Sequence, residues 1–423
     1  MRLSHSKILT VALVLSLTIQ LHAQNAATSS VKLISTLAGH TSSIQAIAFS
    51  PRGEFVAASG NDGTVRLWNV ATGEPLGTIV GQKNAEVSQL NWSGDERRLA
   101  ITYRLKKSWE LALCEISSTQ PPTVIHRFTV ADFLDWSPDN RTFLAYDEKF
   151  NLKLWDAVTG QSTHTLAPEL PKEKWLIASF VADGARVLTT FIDGPVKLWD
   201  VGTGKLIATH LPNAEYLGSN HARPEVPVVS ADKRFFISGD TDVYEAASGN
   251  LVTSIKDGIP LSFSPDGSTL LTMRHDDFSK SRHRQSYLTL RTIADGKEIL
   301  TFQVPEGIWK VYWSRGGEKV AIMGLEFNTR VFDTATGRAN GRLPYGNCWP
   351  WQMCGSDDCE PLTFSADGAV LLKAKEPIKL WNTENVSLIE ELKTARLPAT
   401  FSPTDRLLAT RSKDKKSVLL WRF

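Results

Sequence analysis

The chain is short of cysteine, of long apolar runs, of any surplus of one charge and of helical periodicity. Four cysteines occur among 423 residues. Three crowd between Cys348 and Cys359, leaving Cys114 alone, so the fold rests on an apolar core and not on a disulfide framework. After residue 21 no segment resembles a membrane span. The one apolar run, Ile8 to Leu21, follows Arg2 and Lys7 and precedes Ala23. It is shorter than the roughly 20 apolar residues that cross a bilayer. It reads as the core of a signal peptide covering residues 1–23, with cleavage expected after Ala23. No cysteine stands near that junction to take a lipid anchor. The expected mature chain, residues 24–423, is exported, periplasmic or secreted, with no transmembrane segment.

Charge is equally uninformative by its balance. Lys and Arg total 47 and Asp and Glu 45, and residues 1–23 hold two of the bases and no acid, so the remainder is neutral. Nothing global points to nucleic acid, and any basic patch must be local. Motifs of catalysis are missing too: there is no G-x-S-x-G elbow, phosphate-cradling glycine loop or calcium-loop pattern. His275, Asp276, Asp277 and His283 lie close in sequence, but their spacing matches no compact zinc motif, and loop polarity is the better account. No metal or cofactor is expected.

What is present is repetition. "VRLWNVATGEPL", "LKLWDAVTGQST" and "VKLWDVGTGKLI" each alternate apolar residues, reach Trp, then turn at Gly five residues later. Weaker copies keep the offset, so Gly73, Gly160, Gly204, Gly249, Gly296 and Gly337 share one turn position. A second signal recurs upstream of the Trp position in five units: "FSPRGE", "WSPDNR", "FSPDGS", "FSADGA" and "FSPTDR" follow short apolar runs and supply tight turns. Aligned on the Trp position, nine units appear at Trp68, Cys114, Trp155, Trp199, Tyr244, Arg291, Phe332, Trp381 and Trp421, spaced 40 to 49 residues apart. That is the period of a four-stranded propeller blade. In the first unit the strands read "AIAFS", "FVAAS", "TVRLWN" and "PLGTIV".

The sequence resembles the WD-repeat β-propeller family over essentially all of residues 24–423, in a divergent form. The first unit carries Gly39-His40, Asp62-Gly63 and Trp68-Asn69. In that family His, a hydroxyl, the turn Asp and the strand Trp form a buried hydrogen-bond chain. The resemblance places His40, Asp62 and Trp68 in those roles, with Ala58 where the hydroxyl would stand. It also places Thr189, Asp193 and Trp199 in the fourth unit, without the His. The implied fold is all-β, a single closed propeller of four-stranded antiparallel blades. Nine units are counted, and eight blades stay possible. Residues 31–39 read as an outer strand without a blade, and "SVLLWRF" at the end as a third strand without its outer partner. Pairing the two would close the ring.

The family's loops between second and third strands, and between one blade and the next, open on one face, and the long insertions here fall there. One elaborated face on a rigid ring suggests a binding surface. Candidate contacts are Lys106, Lys107, Arg282 and Arg284, which would suit an acidic protein patch or an anionic glycan. Trp349 and Trp351 of "GNCWPWQMCGSDDCEP" join them as aromatic anchors, with Met353 beside them, or, alternatively, the two Trp form a local mini-core. Cys348 and Cys359 could staple that loop, although pairings through Cys354 are equally open. Cys114, at a strand position, is expected to be buried and reduced. The expectation is a non-catalytic module for protein–protein interaction whose partner is unidentified. The alternative is a hydrolase-like propeller enzyme with a site at the channel mouth.

Overall fold

We describe a computed structural model of the chain. It describes residues 31–81, 85–106, 108–167, 176–191, 194–211, 229–238, 241–275, 286–304, 308–324, 329–343, 362–373 and 375–423.

Blade 1 is formed by Ile44–Phe49, Phe55–Gly60, Thr64–Asn69 and Pro75–Val80, hydrogen-bonded in that order. Its strand chemistry follows from what covers each strand. Phe55–Gly60 is buried at every residue, because neighbouring blades cover both of its faces. Pro75–Val80, at the rim, is mostly open to solvent. Contacts between the first strands of adjacent blades put those strands around the centre.

The same plan repeats around the ring. Blades 2 and 3 are continuous through one long strand, Thr123–Trp136, which is the outer strand of the former and the inner strand of the latter. Blade 4 runs from Leu176–Val181 to Leu206–His210. Blade 5 shows three strands, Phe235–Ser238, Asp242–Glu245 and Leu251–Ser254, with Val229 bridging to Phe236 on the inner side. Blades 6, 7 and 8 begin at Ile259–Phe263, Ile308–Trp313 and Leu362–Phe364. Blade 9 takes Ala395–Phe401, Leu407–Ser412 and Val418–Arg422 from the C-terminal end and its outer strand, Lys32–Leu37, from residues that precede blade 1.

Packing decides between eight and nine. An apolar cluster fills every junction between consecutive blades. Ala57, Leu67 and Ile79 meet Leu99, Ile101 and Tyr103 between blades 1 and 2. Corresponding clusters follow between each later pair. The last joins blade 9 to blade 1, where Leu37, Leu407, Ala409 and Leu420 pack on Val56, Ala58 and Trp68. The described strands therefore form nine blades in a closed cycle of contacts.

The turns are as regular as the strands. In "WSPDNR", Ser137 Oγ accepts the Thr142 N–H at 2.9 Å and donates to Asp139 at 2.6 Å. Ser93, Ser230, Ser264 and Ser365 do the same with Asp95, Asp232, Asp266 and Asp367. A serine two residues before an aspartate thus satisfies the backbone where the ladder stops. The glycine found five residues beyond six of the nine Trp positions is left-handed, as at Gly160 with φ 71°. A side chain there would also collide with His126 of the preceding blade.

Candidate functional site: the loop-bearing face

The connections from second to third strand, and from one blade to the next, share one face, and blade 1 shows what fixes them there. His40 is buried, with Nδ1 3.0 Å from Asp62 Oδ2 and Nε2 3.2 Å from the Ala58 carbonyl. Asp62 also accepts the Thr41 N–H at 2.8 Å and the Thr64 hydroxyl at 2.6 Å. Burial works to raise the Asp62 pKa, but hydrogen bonds from Thr64, Thr41 and His40 outweigh it and hold the carboxyl well below its ordinary value. The two connections on either side of blade 1's inner strands are thereby tied into one node. The position expected to carry a hydroxyl is Ala58, and its carbonyl serves instead.

Other blades build the Trp half of the node. Trp199 Nε1 donates to Thr189 Oγ1 at 2.9 Å in blade 4. Asp193 of that blade lies outside the described residues. In blade 9, Trp421 Nε1 donates to Thr410 at 2.8 Å, a pair that sequence reading missed. In blade 6 the position belongs to Arg291, which is buried, and its Nε donates to Thr272 Oγ1 at 3.2 Å. The signal for both threonines is a hydroxyl two residues beyond the cross-strand partner of the Trp position. In blade 6 the intervening insertion stretches that spacing and hides it.

Residues 31–69 match the family described as WD domain, G-beta repeat. Among curated relatives, protein tipD of Dictyostelium discoideum is 22% identical over 313 residues, covering 71% of this chain and 41% of tipD. The small ribosomal subunit protein RACK1 of Brassica napus is 27% identical over 174 residues, covering 41% of this chain and 44% of the relative. The chain thus spans less than half the length of these relatives. Among solved structures, the computationally designed Ika8 protein superposes with a TM-score of 0.50 at 17% identity, covering 93% of this chain and 100% of that one. The matched repeat is the blade that holds the His40–Asp62 node, and eight further blades copy its strand and turn plan. The described residues form a β-propeller, and its first blade carries a WD repeat.

On the propeller's loop-bearing face, Lys106 is exposed in the turn that follows Arg98–Arg104 of blade 2. Arg104 is not a free charge: it pairs with Glu86 at 2.5 Å. Arg411 is half-buried and donates to the Ile44 carbonyl at 2.9 Å and to Ser43 Oγ at 3.3 Å. It joins blade 9 to blade 1. Lys107, Arg282, Arg284, Cys348, Trp349, Trp351, Met353 and Cys359 lie outside the described residues, as do residues 276–285 and the side chain of His275. Among the described residues there is no group of three or more His, Cys, Asp or Glu side chains suited to a metal ion. Cys114 is free and buried, and burial pushes its thiol up to about 12.

At the other end of the inner strands, Ser179 Oγ lies 2.7 Å from Asp135 and 2.5 Å from Lys233 Nζ. A serine beside a lysine invites comparison with a nucleophile and its base. The geometry argues otherwise. Asp135 accepts the serine proton and also the Phe180 N–H at 3.0 Å, while Lys233 lies 3.5 Å from the same carboxylate and acts as a donor. The trio cross-links the inner ends of blades 3, 4 and 5, and its parts come from three separate units. Asp132, nearer the loop-bearing end of the blade 3 inner strand, has its pKa raised by burial, with the Phe133 N–H opposing.

Proposed function

We propose that the propeller is an exported, non-catalytic module that holds a protein partner against its loop-bearing face. One observation carries the reading: the connections on one face vary in length and composition, while the other face repeats two short turns, a Ser-x-Asp turn in five blades and a left-handed glycine turn in six. Variable loops on a rigid scaffold are where recognition concentrates. The relative named as a small ribosomal subunit protein belongs to an assembly by that name, in keeping with a scaffolding role. Export rests on the leader-like residues 1–23, and an oxidising compartment would permit a bond between two of Cys348, Cys354 and Cys359.

The test is site-specific photo-crosslinking. A photoreactive residue at Lys106 or Lys416 should capture a partner in envelope extract, and one at Val158 on the opposite face should not. Equal capture from both faces would remove the reading. The double substitution Trp349→Ala, Trp351→Ala should weaken capture without shifting the melting temperature. Amino-terminal sequencing of the exported chain should begin at Gln24, and non-reducing peptide mapping should find one linked pair among the three loop cysteines.

A further inference from the structure

Blade 9 concentrates positive charge at its loop-bearing edge, although the chain as a whole is balanced. Strand register sets Arg396 directly opposite Arg411 on neighbouring strands. A like-charged cross-strand pair is destabilising by itself, so something must hold it. Arg396 Nε reaches Glu376 at 3.3 Å, and the same carboxylate accepts the Leu397 N–H. Arg411 is held on carbonyl and hydroxyl oxygens of blade 1. Burial pulls its pKa down, with Glu376 opposing and Arg396 adding to the effect.

The turn after Leu407–Ser412 then adds Lys413, Lys415 and Lys416, and the turn before Ala395 adds Lys393. All four are exposed. Ala395 lies opposite Ser412, which brings the two turns together at one edge. Six cations therefore share this edge with two carboxylates. Both carboxylates are occupied: Glu376 as above, and Asp414 by the Ser412 hydroxyl and the Lys416 N–H. Among the described residues no carboxylate lies within ion-pair distance of Lys393, Lys413, Lys415 or Lys416.

We infer that this edge is the docking site for an acidic, carboxylate-rich polypeptide segment, which would run from the exposed lysines toward Arg396 and Arg411 at the channel mouth. The inference rests on the loop-bearing face being the binding face. Two observations favour a peptide over other polyanions. The large exposed apolar side chains, such as Leu33, Val80, Leu206 and Ile299, lie on outer strands and not at this edge, so it offers a lipid surface nothing to insert. It likewise presents no exposed aromatic ring among the described residues on which nucleobases could stack. Arg396 and Arg411 are held by Glu376 and by backbone and hydroxyl oxygens, so they add positive field behind exposed lysines that are free to pair with carboxylates.

The experiment uses the full mature chain and a fluorescein-labelled short peptide of alternating glutamate and serine, followed by anisotropy at low salt. Its glutamine counterpart, a short oligothymidylate and phosphatidylglycerol vesicles are measured alongside. The glutamate peptide should bind best. The variant K393E/K413E/K416E should weaken it about tenfold, as expected for losing several screened charge contacts. The variant K393R/K413R/K416R should retain binding, which separates charge from folding. Unchanged affinity after charge reversal overturns the inference, and so does tighter binding of the oligonucleotide or the vesicles. If the peptide fails while crosslinking from Lys106 persists, the face still binds protein and only the chemistry assigned to blade 9 is wrong.

Discussion

Arg291 offers the sharpest test of how this propeller departs from its repeat. Its guanidinium donates to Thr272 Oγ1, to the carbonyls of Gly296 and Asp257 at 3.2 Å each, and to Glu298 at 2.7 Å. Arg291→Ala removes all four contacts and the packing of a buried stem. Glu298 is half exposed and regains water easily, and Thr272 keeps its bond to the Thr289 carbonyl. The loss is therefore smaller than for a fully sealed ion pair. Hydrogen bonds to charged groups contribute about 1.5–3 kcal/mol, and lost packing adds to that, so about 3 kcal/mol is expected for the alanine variant. Arg291→Trp should cost about 1 kcal/mol, because an indole there can donate to Thr272 as Trp199 does to Thr189 and Trp421 to Thr410. Thermal unfolding followed by tryptophan fluorescence and circular dichroism should show a fall of about 3–4 °C for the alanine variant and clearly less for the tryptophan one. If the two variants melt together, the repeat position does not act as a shared node and the reasoning fails.

Acid titration tests the node of blade 1. The Asp62 pKa is depressed in the folded protein, so its stabilisation is fully present above the unfolded value of about 4 and is lost as pH falls through the folded one. The stability gap between wild type and Asp62→Asn should shrink steadily below pH 4, and a gap independent of pH would refute it. Deleting residues 24–39 removes Lys32–Leu37, the outer strand of blade 9, together with buried Leu37. The whole ring should then melt several degrees lower, and a change within a degree or two would show that this strand does not secure the closure. Cys114 should resist maleimide at pH 8 in native protein and react in urea, because burial keeps its thiol protonated. Rapid native labelling would contradict that burial.

By itself the sequence determined the repeat, the strand chemistry and the turns. Period-two alternation up to each Trp, a left-handed glycine five residues later and a Ser-x-Asp turn are local devices, and local devices are legible because the residues that act together are neighbours in the chain. The first blade could be read strand by strand, and His40, Asp62 and Trp68 could be placed by offset alone. Tertiary structure decided whatever joins distant units. Nine blades, and not eight, follow from the apolar cluster found at every junction. Ala58 could be read as a missing hydroxyl, but that its carbonyl would accept the His40 bond depends on backbone geometry. Arg291 looked like a degraded Trp until Asp257, Gly296 and Glu298 were seen around it. Arg411 meets its partner Ile44, some 367 residues away in sequence, where blade 1 closes against blade 9. Such partners are chosen by the closing of the ring, and no window of sequence contains both halves of the contact.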